Sequence, residues 1–219
     1  MFIDLLKDND EKWDTFQVER GEFPTTDQLS DYEAVVITGS KHDAHGSDCW
    51  IQKLKELCRA IHVRKQKLLG VCFGHQVIAN ALGGKSGRSD VGWKIGIQTI
   101  KLNDLAHQKF KNVPSELDLC KVHQDQVLVL PPCAEVLAQS DGVSAEIFSI
   151  GDHVLCVQGH PEFNQNIVDE IITTREKAGS FSAEVATAAR KSLSIEPSRK
   201  ESQQLLKQFL KRDLSLNYV

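Results

Sequence analysis

The sequence predicts an α/β fold in which helices cover both faces of a parallel sheet. Up to residue 82, apolar runs rich in β-branched residues alternate with segments of helical periodicity, an order typical of parallel sheets. The chain has 219 residues, of which 41% are hydrophobic and 26% are charged, as in an ordinary globular domain. We therefore expect a single three-layer α/β/α domain over residues 1–219.

Each element is predicted from its own pattern. Thr25 and Gln28 have the spacing of a capping box, which predicts a short helix after Pro24. Short apolar runs predict strands at 34–38, 68–71, 93–102, 117–122, 134–140, 145–150 and 153–158. Helical spacing of apolar residues predicts helices at 49–66, directly after residue 72, and at 166–177, 183–193 and 202–211. The last two strands are expected to form a hairpin.

A cysteine lies at the predicted turn between the second strand and the next helix. The segment reads Gly70-Val71-Cys72-Phe73-Gly74, a G-x-C-x-G form of the nucleophile elbow. Glycines suit this strained and crowded turn because they have no Cβ. The first-turn N–H groups and the helix dipole favour a thiolate at Cys72. The pattern predicts a nucleophile, and a packing cysteine is the alternative.

A histidine and a carboxylate late in the chain could activate this thiol. His160 follows the predicted strand 153–158, and Pro161 and Glu162 come next. We predict that His160 is the general base and that Glu162 orients its ring, as in a nucleophile–base–acid triad. For His160, the alternative is an ordinary histidine in a surface turn.

Other polar or flexible residues also follow predicted strands. Gly39 and Ser40 follow the first strand, and His123 follows a later one. In open α/β sheets, ligands bind beyond the carboxyl ends of the strands. We therefore expect these residues at the same edge of the sheet as Cys72 and His160.

The elbow and the late H-P-E together resemble the class I glutamine amidotransferase family, whose members carry both motifs. Within it, the segments GVCFGHQVIA, VHQDQV and VQGHPEFN are most similar to plant γ-glutamyl peptidases. The resemblance extends from about Phe2 to the last helix. It implies a flavodoxin-like class I glutamine amidotransferase domain.

The beginning of the chain departs from the family pattern. Relatives have a strand and a helix before the segment matched by residues 1–6, so this chain is expected to start at their second strand. A domain lacking the usual first strand and helix would have an exposed sheet edge. We therefore expect lower stability and activity than in a relative that has both elements.

An oxyanion formed during acyl transfer needs N–H donors placed in advance. The N–H of Phe73, one residue past the elbow cysteine, is the first candidate. The resemblance implies a second donor from Gly39 or Ser40. For these two residues, an ordinary turn at the end of a strand is the alternative.

The resemblance also implies a pocket for the glutamyl group. Gln76, one helical turn past the elbow, would contact the bound glutamyl group, and a solvated helix residue is the alternative. His123, Gln124 and Asp125 would line the same pocket, and a tight turn is the alternative for them.

Composition and motifs argue against several other classes of protein. The net charge is −4, and no basic cluster with interleaved aromatic residues indicates nucleic-acid binding. No apolar run approaches the ~20 residues of a membrane span, and the N-terminus is too acidic for a targeting peptide. His42 and His45 lie near Asp43 and Asp48, but no second ligand pair at suitable spacing follows. We predict neither a metal nor another cofactor.

The cysteines indicate a reducing compartment, and we expect the cytosol. There are six, and none form a C-x-x-C pair, which argues against a zinc ribbon or a redox motif. Cys58, Cys120 and Cys156 lie in apolar runs and are expected to be buried.

The resemblance implies a stand-alone hydrolase of γ-glutamyl amide bonds, acting on glutathione or its S-conjugates through a γ-glutamyl thioester at Cys72. A glutaminase subunit that supplies ammonia to a separate synthetase would have the same site chemistry. The peptidase is favoured because no synthetase domain occurs in these 219 residues. A non-catalytic relative is the third interpretation. Whether the protein forms a homo-oligomer is left open.

Overall fold

The computed structural model describes residues 1–211. Residues 212–219 lie outside the described part, and a single domain over 1–219 stays a prediction. The strands are β1 (Ala34–Ile37), β2 (Lys67–Val71), β3 (Lys85–Arg88), β4 (Lys94–Leu102), β5 (Glu116–His123), β6 (Asp125–Val129), β7 (Glu135–Ser140), β8 (Val143–Ile150) and β9 (Val154–Val157). The helices are α1 (Phe2–Leu6), α2 (Thr26–Leu29), α3 (Cys49–Val63), α4 (Phe73–Ala81), α5 (Asp104–Lys109), α6 (Gln165–Lys177), α7 (Ala183–Ser192) and α8 (Arg199–Lys211).

Seven of these strands form one curled sheet of mixed direction. Their order is β1-β2-β9-β8-β7-β4-β5, in which β1, β2 and β9 are parallel and the other pairings are antiparallel. An isolated bridge joins Cys120 of β5 to His160, which follows β9. The curl therefore brings the far end of the sheet back to the carboxyl ends of the parallel strands.

Helices cover both faces of the sheet, which confirms the three-layer α/β/α prediction. On one face, α3 and α4 share a buried core with β2 and β9. On the other face, α1 and α8 pack against the same two strands, and α6 and α7 cover β4. Each fully buried Leu or Ile side chain contributes about 1.5–3 kcal/mol. Core residues of the helices include Leu5, Leu6, Ile51, Leu54, Ile61, Ile78, Leu205 and Leu206.

The first residues contradict the prediction that the chain starts at a strand. Residues Phe2–Leu6 form helix α1, with Leu5 and Leu6 buried. Helix α5 and the two-stranded sheet formed by β3 and β6 were not predicted from the sequence. The remaining predicted elements are present within a few residues of the expected bounds, including the capping box of Thr25 and Gln28 and the β8–β9 hairpin.

Strand β1 lies at the edge of the sheet, with β2 as its partner among the described residues. A groove of about 1500 Å³ is lined by all of β1 and continues to Cys72 and His160. The expected exposed edge is therefore present, while its effect on stability stays a prediction. Within residues 1–211, no helix combines the length and apolarity required to cross a bilayer.

Candidate active site

Cys72 occupies the turn between β2 and α4, as predicted. Its φ of 54° and ψ of −103° form a backbone conformation that residues other than glycine rarely adopt. Holding a residue in such a conformation costs about 1–3 kcal/mol. The Cys72 N–H donates to the Val157 carbonyl at 2.9 Å, and the Cys72 carbonyl accepts from the Gln76 N–H at 3.1 Å. These two bonds hold the candidate nucleophile at the carboxyl ends of the parallel strands.

Gly74 accounts for the crowding at the elbow. A Cβ at this position would lie 2.1 Å from the carbonyl oxygen of Ile37 at the end of β1. The glycine therefore allows α4 to approach β1 closely. The positive φ, however, lies on Cys72 and not on the elbow glycines. The prediction was correct about crowding and wrong about which residue is strained.

His160 lies beside Cys72 and contacts Glu162, as the late H-P-E segment predicts. Its Nδ1 is 2.8 Å from Glu162 Oε1, and Cys72 lies near enough to raise the pKa of the ring. The ring stacks on Phe163 with a centroid separation of 4.1 Å. The backbone N–H of His160 donates to the Cys120 carbonyl at 2.8 Å. The imidazole is thus restrained by stacking on Phe163, at Nδ1 and through its backbone.

The charge state of His160 differs from that of two other buried histidines. Burial lowers the pKa of His75 to about 3 and keeps the pKa of His123 well below its usual value. Burial also acts to lower the pKa of His160, but Cys72 and Glu162 outweigh it and raise that pKa to about 10. At neutral pH the ring is therefore charged, which favours a thiolate on its cysteine partner.

The other cysteines provide no comparable setting. All six are unpaired, and Cys58, Cys120 and Cys156 are buried as predicted. Burial raises the pKa of the Cys58 and Cys120 thiols to about 12, so these thiols stay protonated and unreactive. Cys49 and Cys133 are exposed.

Gly39 and Ser40 lie at the same edge as the elbow, as expected. A Cβ on Gly39 would lie 2.9 Å from His160 Cε1 and 3.6 Å from Cys72 Cβ. Gly39, Ser40 and Phe73 all line the groove that reaches the thiol. Phe73 is the first residue of α4, so no carbonyl of that helix accepts its N–H. The geometry permits the Phe73 N–H to act as an oxyanion donor, and this role stays a prediction.

Replacing Gly39 with Ala should slow alkylation of Cys72 by iodoacetamide by about tenfold or more at pH 7. The added Cβ must displace the His160 ring, and this ring favours the thiolate. The rate is measured at Cys72 by peptide mapping, since exposed Cys49 and Cys133 also react. Gly87→Ala is the matched control, because its Cβ would meet only the end of the Leu128 side chain. Equal rates in Gly39→Ala and wild type would contradict the prediction.

Gln76 and His123 are buried behind the elbow. Gln76 Nε2 donates to the Asp125 carbonyl at 2.9 Å and to Gln158 Oε1 at 3.1 Å, so the solvated alternative for Gln76 is wrong. His123 Nδ1 is 3.0 Å from the same Asp125 carbonyl. The structure thus brings these predicted pocket residues together. Their contact with a glutamyl group stays a prediction.

Gln124 and Asp125 belong to a charged cluster that the sequence did not reveal. Gln124 Oε1 accepts from Arg88 at 2.7 Å, Asp125 forms an ion pair with Arg88 at 3.2 Å, and Asp125 Oδ2 lies 3.4 Å from His45 Nδ1. Ligand atoms of Asp43, His45 and Asp125 lie within 4.8 Å of one another, a grouping that could hold a metal ion. The Arg88 guanidinium already contacts both carboxylates and would repel a cation. The expectation of no metal stays a prediction.

Three further residues shape the site and were not predicted. Phe163 stacks on the candidate base, Trp50 stacks on Phe73 at 5.5 Å, and Gln158 accepts the bond from the elbow helix. Phe163 had a sequence signal, because it directly follows the H-P-E segment. Trp50 lies 23 positions before Phe73 in the sequence, and no local pattern links them.

A fold of this kind with a cysteine elbow and a histidine–glutamate pair defines a class of amidotransferase-like proteins. The chain belongs to the class I glutamine amidotransferase family, whose model matches residues 6–176. It is 41% identical over 217 residues to γ-glutamyl peptidase 3 of Arabidopsis thaliana, covering 96% of this chain and 87% of that protein.

Solved structures support the same fold. A glutamine amidotransferase from Thermotoga maritima superimposes with a TM-score of 0.72 at 21% identity, covering 90% of this chain and 86% of that one. A glutamine amidotransferase from Methylobacillus flagellatus gives a TM-score of 0.75 at 18% identity, covering 88% and 81%. These likenesses establish the fold.

Proposed function

We propose that this protein is a hydrolase of γ-glutamyl amide bonds in which Cys72 is the nucleophile. The observation that carries the proposal is the contact of His160 with both Cys72 and Glu162 at the strained elbow. The 41% identity to a γ-glutamyl peptidase supports the substrate class. Glutathione and its S-conjugates are the proposed substrates, and the cytosol is the proposed location because all six thiols are unpaired.

The first half of the reaction forms a thioester. The Cys72 thiolate attacks the γ-carbonyl carbon, and its electron pair moves onto the carbonyl oxygen. The N–H of Phe73 and a donor from Gly39 or Ser40 stabilise this oxyanion. The oxyanion then collapses, the C–N bond breaks, and the His160 imidazolium gives its proton to the leaving amine. A γ-glutamyl thioester remains on Cys72.

The second half releases glutamate. His160, now neutral, takes a proton from water as the water oxygen attacks the thioester carbon. Collapse of the second oxyanion breaks the C–S bond and returns the thiolate, facing an imidazolium again. Glu162 keeps Nδ1 oriented through its 2.8 Å contact and stabilises the charged ring in the resting form and again when water attacks the thioester.

A glutaminase subunit is the second candidate, because the same residues would hydrolyse glutamine. The family membership favours it, since its name describes transfer of the glutamine amide. A large groove beside the thiol is better suited to an amine-bearing leaving group than to ammonia alone. Because of this groove and the identity to a peptidase, we rank the glutaminase second and a non-catalytic relative third.

The product analysis separates these candidates. We expect incubation with glutathione to release glutamate and cysteinylglycine without ammonia, with a kcat/KM at least about tenfold above that for glutamine, a difference of about 1.4 kcal/mol in transition-state binding. Glutamate and ammonia are assayed separately for glutathione, an S-alkyl glutathione and glutamine. A preference for glutamine would favour the glutaminase, and no glutamate from any of the three would favour the non-catalytic relative.

A further inference from the structure

Two fully buried charged residues lie beneath the segment that carries the candidate base. Lys121 on β5 and Glu146 on β8 are both 0% exposed, and their side chains form a direct ion pair. Ser140 Oγ donates to the other carboxylate oxygen of Glu146 at 2.5 Å. Removing two charges from water has a desolvation cost that their attraction often fails to exceed. Stability alone is therefore a weak explanation for this pair.

The backbone around this ion pair holds the residues that lead to His160. The carbonyl of Glu146 accepts the N–H of Gln158 at 2.8 Å. The carbonyl of Cys120, directly before Lys121, accepts the N–H of His160 at 2.8 Å. These two bonds come from β8 and β5, which are not paired with each other in the sheet. The ion pair is thus a direct link between the two strands that support the approach to the base.

The charge of Lys121 also interacts with Cys72. Burial lowers the pKa of the Lys121 ammonium, whereas Glu146 and Cys72 act in the opposite direction. The ion pair with Glu146 therefore opposes the effect of burial on this ammonium.

We propose that Lys121 and Glu146 are positioning residues that fix His160 against Cys72. The proposal rests on the proposed function, because it assigns the pair a task within that site. Neither residue lines the groove, so neither is expected to contact substrate. The pair should therefore affect reactivity and kcat far more than KM.

The decisive variant carries Lys121→Met together with Glu146→Gln. It removes both charges at nearly constant volume and leaves no unpaired buried charge, which a single substitution would. We expect the Cys72 alkylation rate at pH 7 to fall about tenfold, and kcat with glutathione to fall about 10- to 100-fold with KM changed less than about twofold. Alkylation needs no substrate, so it tests the inference even if the proposed substrate is wrong.

A comparison in the His160→Asn background separates positioning from general damage. If the pair acts through His160, the double substitution should slow alkylation much less in that background than in wild type. Lys109→Met with Glu135→Gln is the matched control, because it removes a Lys–Glu pair at 2.8 Å between α5 and β7. This control should leave the alkylation rate unchanged.

A folded Lys121→Met/Glu146→Gln protein that alkylates and turns over at the wild-type rate would overturn the inference. An equal slowing in the wild-type and His160→Asn backgrounds would also overturn the positioning role. If the double variant does not fold, Ser140→Ala provides the test, because it removes only the 2.5 Å bond to Glu146. Folded Ser140→Ala should alkylate about two- to fivefold more slowly, and an unchanged rate would count against the proposal.

Discussion

Replacing Cys72 with Ala should lower kcat with glutathione by more than about 10³-fold, because every later step of the proposed reaction needs the thioester. The fold should survive the change. Cys72 is only 6% exposed, but the substitution removes a single sulfur atom and leaves both backbone bonds of the elbow in place. We therefore expect a urea midpoint close to that of the wild type, which makes the loss of activity specific to the chemistry.

The matched control for this prediction is Cys49→Ala, which removes an exposed thiol at the first turn of α3. Both variants are assayed for glutamate release and for the urea midpoint. Cys49→Ala should keep the wild-type kcat. Near-wild-type turnover by the Cys72→Ala protein, or the same loss in both variants, would rule out Cys72 as the nucleophile.

The elements that were predicted correctly have sequence patterns that identify them without knowledge of distant contacts. Strand β2 reads KLLGV, and all five of its residues are buried, as in parallel strands covered on both faces. Helix α3 has apolar residues at helical spacing, and Ile51, Leu54, Cys58 and Ile61 are all buried in the core. In such segments periodicity and burial agree, so the sequence is sufficient.

The missed elements depend on contacts that are distant in sequence. Strand β3 reads KSGR and lacks apolar alternation, so its extended form follows from pairing with β6 across the small sheet. Helix α1 has five residues, too few to form alone, and it is stabilised by packing on α8 from the other end of the chain. Only the folded chain supplies these partners.

The residues of the candidate site also form two groups, one predicted by local motifs and one that depends on contacts distant in sequence. Cys72, His160 and Glu162 lie in compact motifs, and the structure brings them together as the sequence predicted. The ion pair of Lys121 and Glu146 was not predicted, although Glu146 is the single charged residue of β8, which was a usable signal. Nothing in the sequence shows that Lys121 and Glu146 meet, because their strands come together only when the sheet curls.

Replacing His160 with Asn should also lower kcat by more than about 10³-fold, since members of a triad act as a unit. The more specific expectation concerns pH. The pKa of His160 is raised to about 10 by Cys72 and Glu162 against the opposing effect of burial, so its ring is charged throughout the neutral range. This charge favours the thiolate, and Asn cannot supply it.

Alkylation of Cys72 should therefore be at least about tenfold slower in His160→Asn than in wild type at pH 6, where an unassisted thiol is protonated. The ratio of the two rates should shrink as the pH rises towards about 8.5, where an unassisted thiol ionises by itself. The measurement is the rate of iodoacetamide labelling at Cys72, followed by peptide mapping from pH 5.5 to 9.5. Cys133 in the same samples is the internal control, because it is exposed and distant in sequence from the elbow. A ratio that stays constant across this range would show that His160 affects access to the thiol and not its ionisation, and the proposed base would have to be sought elsewhere.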